Sequence, residues 1–334
     1  MKNQRMRRLM AGFLGIGLFA GSITTFAAEA WTLPENGLQL DNAAKQTHVA
    51  AMMEELKHHT KKAAPYEVPD GWTYEKYEMD GVKVEKLANP ASQSDRIILQ
   101  FHGGGYVLGQ SDNHRRLAEI QGVLANAGEM YMVDYRLAPQ HPYPAALEDA
   151  VKVYKVLLDQ GKDAGQIIVT GDSAGGNLAL ALSLYLKENH LPQPAMLLLA
   201  SPWTTLETNL PSRKYNADKD LILGKNNPFM YQSVSNPPYG KGYKARDPRL
   251  SPMYADLSGL SPMLIQVGGY ELFLDEDIAL AKKAAEDGVD VTLTVYPCMS
   301  HDFALLLPEL SDSVDSFKEI RDFVERHLGK KKEA

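Results

Sequence analysis

Short runs of aliphatic residues recur along this chain, separated by longer amphipathic stretches. The runs at 96–101, 130–133, 167–170, 196–199, 263–267 and 291–295 are too short for buried helices and predict strands. Met196-Leu197-Leu198-Leu199 is apolar without alternation, the pattern of a strand covered on both faces. Residues 82–87 alternate Val-Lys-Val-Glu-Lys-Leu instead, as a strand with one wet face does. Helical spacing fills the intervals at 42–62, 114–126, 145–160, 178–186, 275–287 and 310–327. In the first of these, Ala43, Val49, Ala50, Met53 and Leu56 are expected to share a buried face. Strands alternating with helices predict an α/β fold: a mostly parallel twisted sheet with helices on both faces. Between 201 and 260 the periodicity fails and proline is frequent, which predicts a segment inserted between two core strands, a lid spanning about 203–250.

The strand predicted at 167–170 runs directly into Gly171-Asp172-Ser173-Ala174-Gly175-Gly176, and an apolar helical pattern follows. Gly-x-Ser-x-Gly alone is a weak signal. Between a strand and a helix it becomes a nucleophile elbow, in which a strained turn lifts a serine hydroxyl above the sheet edge. Serine is a poor nucleophile at neutral pH and needs a base within hydrogen-bond reach. Downstream histidines are His190, His301 and His327. His190 ends the elbow helix and His327 lies in the polar part of the last helix. His301 follows the last predicted strand by a short loop, at the sheet edge that also carries Ser173. The orienting acid is expected after the preceding strand. Glu271 stands nearest the strand end, with Asp275 as the second candidate, since acids in a first helical turn serve the helix dipole.

An acyl-transfer intermediate also needs N–H donors for its oxyanion. His102-Gly103-Gly104-Gly105 follows an early strand and lets backbone approach a substrate closely. Gly103, Gly104 and Ala174 are the expected donors, and His102 is expected to brace the loop. Blander roles are expected elsewhere: Asp134 with Arg136 as a structural ion pair or hydrogen-bond network, and Cys298 as a packing residue. Tyr106, Trp203 and Phe303 are candidates for the pocket wall or for the core.

Composition narrows the partners. The 334 residues are 44% hydrophobic and 23% charged, with a net charge of −7, ordinary for a globular domain and the wrong sign for a nucleic-acid partner. Residues 1–30 differ: a basic start, an apolar stretch over 9–26 and Ala28-Glu29-Ala30 together predict an export signal cleaved by a signal peptidase. The alternative is an uncleaved anchor, the only form in which a membrane is a partner. Residues 31–334 then form the functional domain of a secreted or periplasmic protein. The single cysteine, Cys298, excludes an internal disulfide.

Several separated segments resemble the hormone-sensitive-lipase-type family of α/β-hydrolase esterases, in the right order over about residues 75–327. They are His102-Gly103-Gly104-Gly105, Asp134-Tyr135-Arg136-Leu137-Ala138-Pro139, Pro142-Tyr143-Pro144-Ala145-Ala146, the elbow, Ser201-Pro202-Trp203 and Gly268-Gly269-Tyr270-Glu271. Many relatives carry Asp where this chain has Glu271, and others resemble it in using Glu. The resemblance implies the α/β-hydrolase fold, a lid built from about 35–65 and the insert, and no metal or organic cofactor. The expected activity is that of a serine carboxylesterase for short-acyl esters, working as a monomer or homodimer on a small-molecule substrate. An amidase or peptidase with the same triad is the first rival, and a non-catalytic small-molecule receptor on a hydrolase fold is the second.

Overall fold

The computed structural model describes residues 28–57 and 65–330. The proposed export signal, up to residue 27, the residues 58–64 that end the predicted first helix, and 331–334 lie outside the described residues.

Eight strands form one sheet: β1 (Thr73–Met79), β2 (Val82–Ala88), β3 (Ile97–Phe101), β4 (Glu129–Asp134), β5 (Ile167–Asp172), β6 (Met196–Ala200), β7 (Met263–Gly268) and β8 (Val291–Tyr296). Their spatial order is β1-β2-β4-β3-β5-β6-β7-β8. β1 and β2 pair antiparallel with each other, as do β2 and β4, and every other pairing is parallel. β3, β5 and β7 are buried along their whole length, which is why their sequences lack alternation.

The period of two still operates inside them. Ile97, Leu99, Phe101, Ile167, Val169, Leu197 and Leu199 face one hydrophobic layer. Ile98, Ile168, Met196 and Leu198 face the other. The first layer packs under α3 (Ala145–Asp159), α4 (Ala174–Glu188) and α7 (Leu274–Glu286). The second packs under α2 (Asp112–Ala125) and α9 (Ser311–Leu328). Each fully buried aliphatic side chain contributes about 1.5–3 kcal/mol, so this two-layer core dominates stability.

One expectation changes. In α1 (Asn42–Lys57), Ala43 and Ala50 are exposed; the buried face is Lys45 and Val49, flanked by Met52 and Met53. Lys45 is buried because Asp312 pairs with it at 2.7 Å, so this face does not read as a hydrophobic stripe. Gln46 Nε2 donates to the Cys298 carbonyl at 3.0 Å, and Val49 packs with Met299 and Phe303, so α1 buttresses the loop that carries His301.

The segment 203–250 lies between β6 and β7 and packs into the interior. It contains α5 (Pro211–Tyr215) and α6 (Pro228–Ser235), both opened by proline in the first helical turn. Trp203, Thr204, Thr205, Ser212, Asn216, Asp220, Leu223, Val234 and Tyr239 are buried. A third helix of the site region, α8 (Phe303–Leu306), follows His301 directly.

Candidate active site

The elbow joins β5 to α4 through Ser173, whose backbone sits at φ 53°, ψ −117°. This conformation is costly for a residue with a side chain and persists because its surroundings over-determine it. A Cβ on Gly171 would lie 2.3 Å from the backbone of Gly175, and one on Gly175 would lie 2.0 Å from the Phe101 carbonyl oxygen. Both positions therefore admit only glycine. Ser173 N–H donates to the Ala200 carbonyl at 2.9 Å, and its own carbonyl accepts from Trp203 N–H at 2.9 Å, which ties the turn to β6.

The glycine loop after β3 comes alongside. Gly104 and Gly105 take φ of 103° and 63°, open to glycine at little cost. Val107 and Leu108 donate back to the Gly104 carbonyl at 3.0 and 2.9 Å, so the loop is a closed turn. Ala174 opens α4, where helical N–H groups have no intrahelical acceptor. The N–H groups of Gly103, Gly104 and Ala174 donate to no acceptor among the described residues. His102 braces this loop: Nδ1 meets the Gly103 carbonyl at 2.8 Å and the ring stacks on Tyr135 at 4.2 Å. Burial pushes the His102 pKa down to about 4, with neighbouring His114 acting in the same direction, so His102 is neutral near pH 7.

On the other side, His301 Nδ1 lies 2.9 Å from Glu271 Oε2. Glu271 Oε1 accepts from Ser201 Oγ–H at 2.7 Å and from the Gly268 N–H. These bonds leave Oε2 for the imidazole. Both residues are buried, Glu271 at 0% and His301 at 2% exposure. Asp275, the alternative acid, is elsewhere: its carboxylate accepts from Ser212 N–H at 2.7 Å and Tyr215 O–H at 3.0 Å, pinning α5 to α7. The insert grips the Glu271 loop from outside. Asn216 Nδ2 donates to the Glu271 carbonyl at 2.9 Å, and Asp220 Oδ2 accepts from Leu272 N–H at 2.9 Å.

Burial opposes the charge on His301, yet Asp302 and Glu271 hold its pKa well above the ordinary imidazole value. Burial likewise raises Glu271, with His301 pulling it back. The direction for the imidazole stands on geometry, since two carboxylates lie within 3.1 Å of its nitrogens. Two further buried carboxyls adjoin. Glu276 pairs with Arg213 at 2.7 Å and is raised by burial to about 7 despite it. Asp277 finds no hydrogen-bond partner for either oxygen among the described residues, and burial drives it well above the carboxylate range.

Sequence reasoning overlooked four groups here. Ser201 Oγ–H donates to Glu271 Oε1 at 2.7 Å and Asp302 Oδ2 lies 3.1 Å from His301 Nε2; Asn177 bonds Tyr106 O–H at 2.7 Å and the Trp203 carbonyl at 2.7 Å; Asp172 meets His114 Nε2 at 3.4 Å. Burial raises Asp172, but His114 prevails and lowers it. Ser201, in its Ser-Pro-Trp segment, and Asp172, inside the serine elbow, lay in segments that the sequence singles out. Asp134 and Arg136 do not pair: Asp134 is exposed at the end of β4, and Arg136 binds Asp149 at 2.8 Å and Glu148 at 2.9 Å on α3. The chain leaves the strand at Asp134, so the two side chains lose the common face that a spacing of two provides. Tyr106, Trp203 and Phe303 are interior residues; the Tyr106 ring stacks on Tyr239 at 3.6 Å. Cys298 is a buried free thiol. A cleft of about 390 Å³ beside β2 and β4, lined by Lys83, Arg136 and His141, lies apart from Ser173.

Residues 98–305 match the alpha/beta hydrolase fold family. An esterase of Acinetobacter venetianus is 36% identical over 245 residues, 73% of this chain and 78% of the relative. An acetyl-hydrolase of Streptomyces hygroscopicus is 37% identical over 212 residues, 64% and 69% of the two chains. The crystal structure of an esterase from the bacterial hormone-sensitive lipase family superposes with a TM-score of 0.75 at 32% identity, over 86% of this chain and 99% of that one. The chain belongs to the α/β-hydrolase family, in its hormone-sensitive-lipase branch. Its activity is that of a serine carboxylesterase, a carboxylic ester hydrolase.

Proposed function

We propose that Ser173 is the nucleophile, His301 its general base and Glu271 the acid that orients His301. The observation that carries this reading is the His301 Nδ1–Glu271 Oε2 contact of 2.9 Å, at the same sheet edge as the strained serine elbow. Ser173 Oγ attacks the ester carbonyl while His301 Nε2 takes its proton. The N–H groups of Gly103, Gly104 and Ala174 receive the oxyanion. His301 then protonates the departing alcohol, and water repeats the cycle on the acyl-enzyme. Glu271 stays ionised through its Ser201, Gly268 and His301 donors and offsets the charge on the imidazolium.

The acyl group is short. Ser173 is only 2% exposed. Leu108 closes on Gly104, and Met230 and Ser233 of α6 approach Gly105, which limits the space above the glycine loop. The acetyl-hydrolase relative agrees with this reading. The test is a p-nitrophenyl ester series from acetate to laurate, compared with the matching anilides. Activity should peak at acetate to butyrate, with labelling of Ser173 by a fluorophosphonate. A maximum at laurate overturns the short-acyl reading, faster anilide cleavage overturns the esterase preference, and full activity in Ser173→Ala overturns the nucleophile.

The enzyme is exported and cut after Ala30, and α1 with the 203–250 insert forms a lid. Trp31 N–H lies 2.7 Å from Glu119 Oε1, a buried carboxylate on α2, and the Trp31 ring packs edge-on to Phe317. Cleavage there turns this amide into an ammonium facing a carboxylate. No helix among the described residues is long and apolar enough to cross a membrane. N-terminal sequencing of the exported protein should begin at Trp31, and retention of residues 1–30 overturns the cleavage.

A further inference from the structure

His301 has one ring nitrogen with which to act on Ser173, and a second carboxylate stands at it. Asp302 Oδ2 lies 3.1 Å from His301 Nε2, while Nε2 has no aligned hydrogen bond to any group among the described residues. The placement is built into the backbone. Asp302 takes the left-handed conformation, φ 52° and ψ 35°, which aspartate tolerates better than most residues. Its N–H donates to Ser201 Oγ at 3.2 Å, the same hydroxyl that donates to Glu271 Oε1. One serine thus sets two carboxylates about one imidazole, Glu271 at Nδ1 and Asp302 at Nε2.

Asp302 has no other evident task. It is 9% exposed, its Oδ1 has no hydrogen-bond partner, and no lysine or arginine pairs with it among the described residues. The charged and titratable groups around the pair are mostly acidic: Glu271 ahead of α7, Asp277 on α7 and Asp172 at the end of β5. His114 of α2 lies within range of both Asp172 and Asp302. A neutral His301 with hydrogen on Nδ1 would present an Nε2 lone pair to an Asp302 oxygen, acceptor against acceptor. The observed contact is favourable only with a proton between the two atoms.

We infer that Asp302 is a positioning residue that competes with Ser173 for His301: while protonated, the imidazole is held between two carboxylates with Nε2 drawn to Asp302 by charge, and loss of that proton to solvent frees Nε2 for Ser173. Deprotonation replaces attraction by repulsion, so the Asp302 and His301 side chains separate. Burial raises the Asp302 carboxyl to about 7 against the pull of His301, so both members of the pair titrate out of their usual ranges. The consequence is an enzyme silent in acid that switches on with an unusually high acid limb.

The inference rests on His301 being the base, and the experiment separates the two. The acid limb of kcat/KM for p-nitrophenyl acetate is measured in the full-length enzyme and in Asp302→Asn, each normalised to its own plateau. The limb should fall by about one pH unit or more in the variant. One unit below the wild-type midpoint, the variant then keeps roughly five times the wild-type fraction of its activity. Coincident limbs overturn the inference. Should Asp302→Asn not fold, Asp302→Ser is measured in the same way: its normalised limb should also fall by about one pH unit, and a limb coincident with that of the wild type overturns the inference. Failure of a fluorophosphonate to label Ser173 on the alkaline plateau overturns the triad itself, whatever the limbs do.

Discussion

The two halves of the active site are held by different forces. On the serine side the backbone itself is the constraint. β5, the Ser173 turn and α4 pass so close to β3 that a methyl group on Gly175 would sit 2.0 Å from a carbonyl oxygen. On the histidine side the constraint is a buried network of charge. Glu271, Glu276, Asp277, Asp302, His301 and Arg213 all lie below 10% exposure, and hydrogen bonds from Ser201, Asn216 and the 204–205 backbone hold part of the set in place. Steric contact is indifferent to pH and falls off within a fraction of an ångström. Charge in a poorly solvated interior acts over longer distances and changes with every proton. In the proposed mechanism Ser173, the nucleophile, is therefore placed once, by folding, whereas His301, the base, is placed conditionally.

Substitutions on the two sides should fail in different ways. The largest effect is expected for Gly175→Ala. Its methyl group forces β3 from the elbow, with a cost above about 4 kcal/mol and loss of activity at every pH. Thermal unfolding and activity measured from pH 5 to 9 check this; a variant that folds well and stays active would show that the elbow tolerates far more than its geometry implies. Next comes Glu271→Gln, which keeps the shape but removes the charge that orients His301. A loss of roughly 10⁴-fold in kcat is expected, with little change in stability, and the acid limb should move down because one of the two anions raising the imidazole is gone. An unmoved limb would dissociate Glu271 from His301.

Arg213→Met should have the smallest effect on chemistry, and its stability cost should depend on pH. Removing one partner of a buried pair costs about 3–5 kcal/mol when the other stays charged. The folded pKa of Glu276 is raised to about 7, above its ordinary 4.5, so its ionisation already works against folding as pH rises through that interval. Without Arg213 the folded value rises further. The deficit should be slight below about pH 7, where Glu276 is protonated in both folded proteins, and should grow as pH rises above it toward the higher folded value of the variant. Denaturant midpoints at pH 4 and pH 8 read it, and equal deficits at both would place the effect outside the Arg213–Glu276 pair.

The serine side was legible residue by residue. Gly171, Ser173, Gly175 and the run 102–105 are contiguous or nearly so, and close backbone approach leaves a mark in the sequence because only glycine satisfies it. The succession of strands and helices was legible for a similar reason, since local periodicity records which face is wet. Glu271 and His301 could be nominated from their places after β7 and β8. Glu271 was favoured over Asp275 by its place nearest the strand end, and the turn at 268–274 directs the first inward to His301 and the second toward Ser212.

The insert shows the limit most clearly. Segment 203–250 has no clean hydrophobic period because many of its buried positions are polar groups satisfied by distant partners: Asn216 by the Glu271 carbonyl, Ser212 by the Leu272 carbonyl, Arg213 by Glu276. Lys45 in α1 and Asp302 beside His301 read as ordinary charged residues for the same reason. The linear chain by itself determined the succession of core elements, the strained serine and the glycine turn that faces it, since these depend on contacts between near neighbours and on which residues lack a Cβ. Only the tertiary structure decided which carboxylates surround His301. A charge can be buried only where folding brings a donor or a counter-charge from elsewhere in the chain, and sequence spacing carries no record of that encounter.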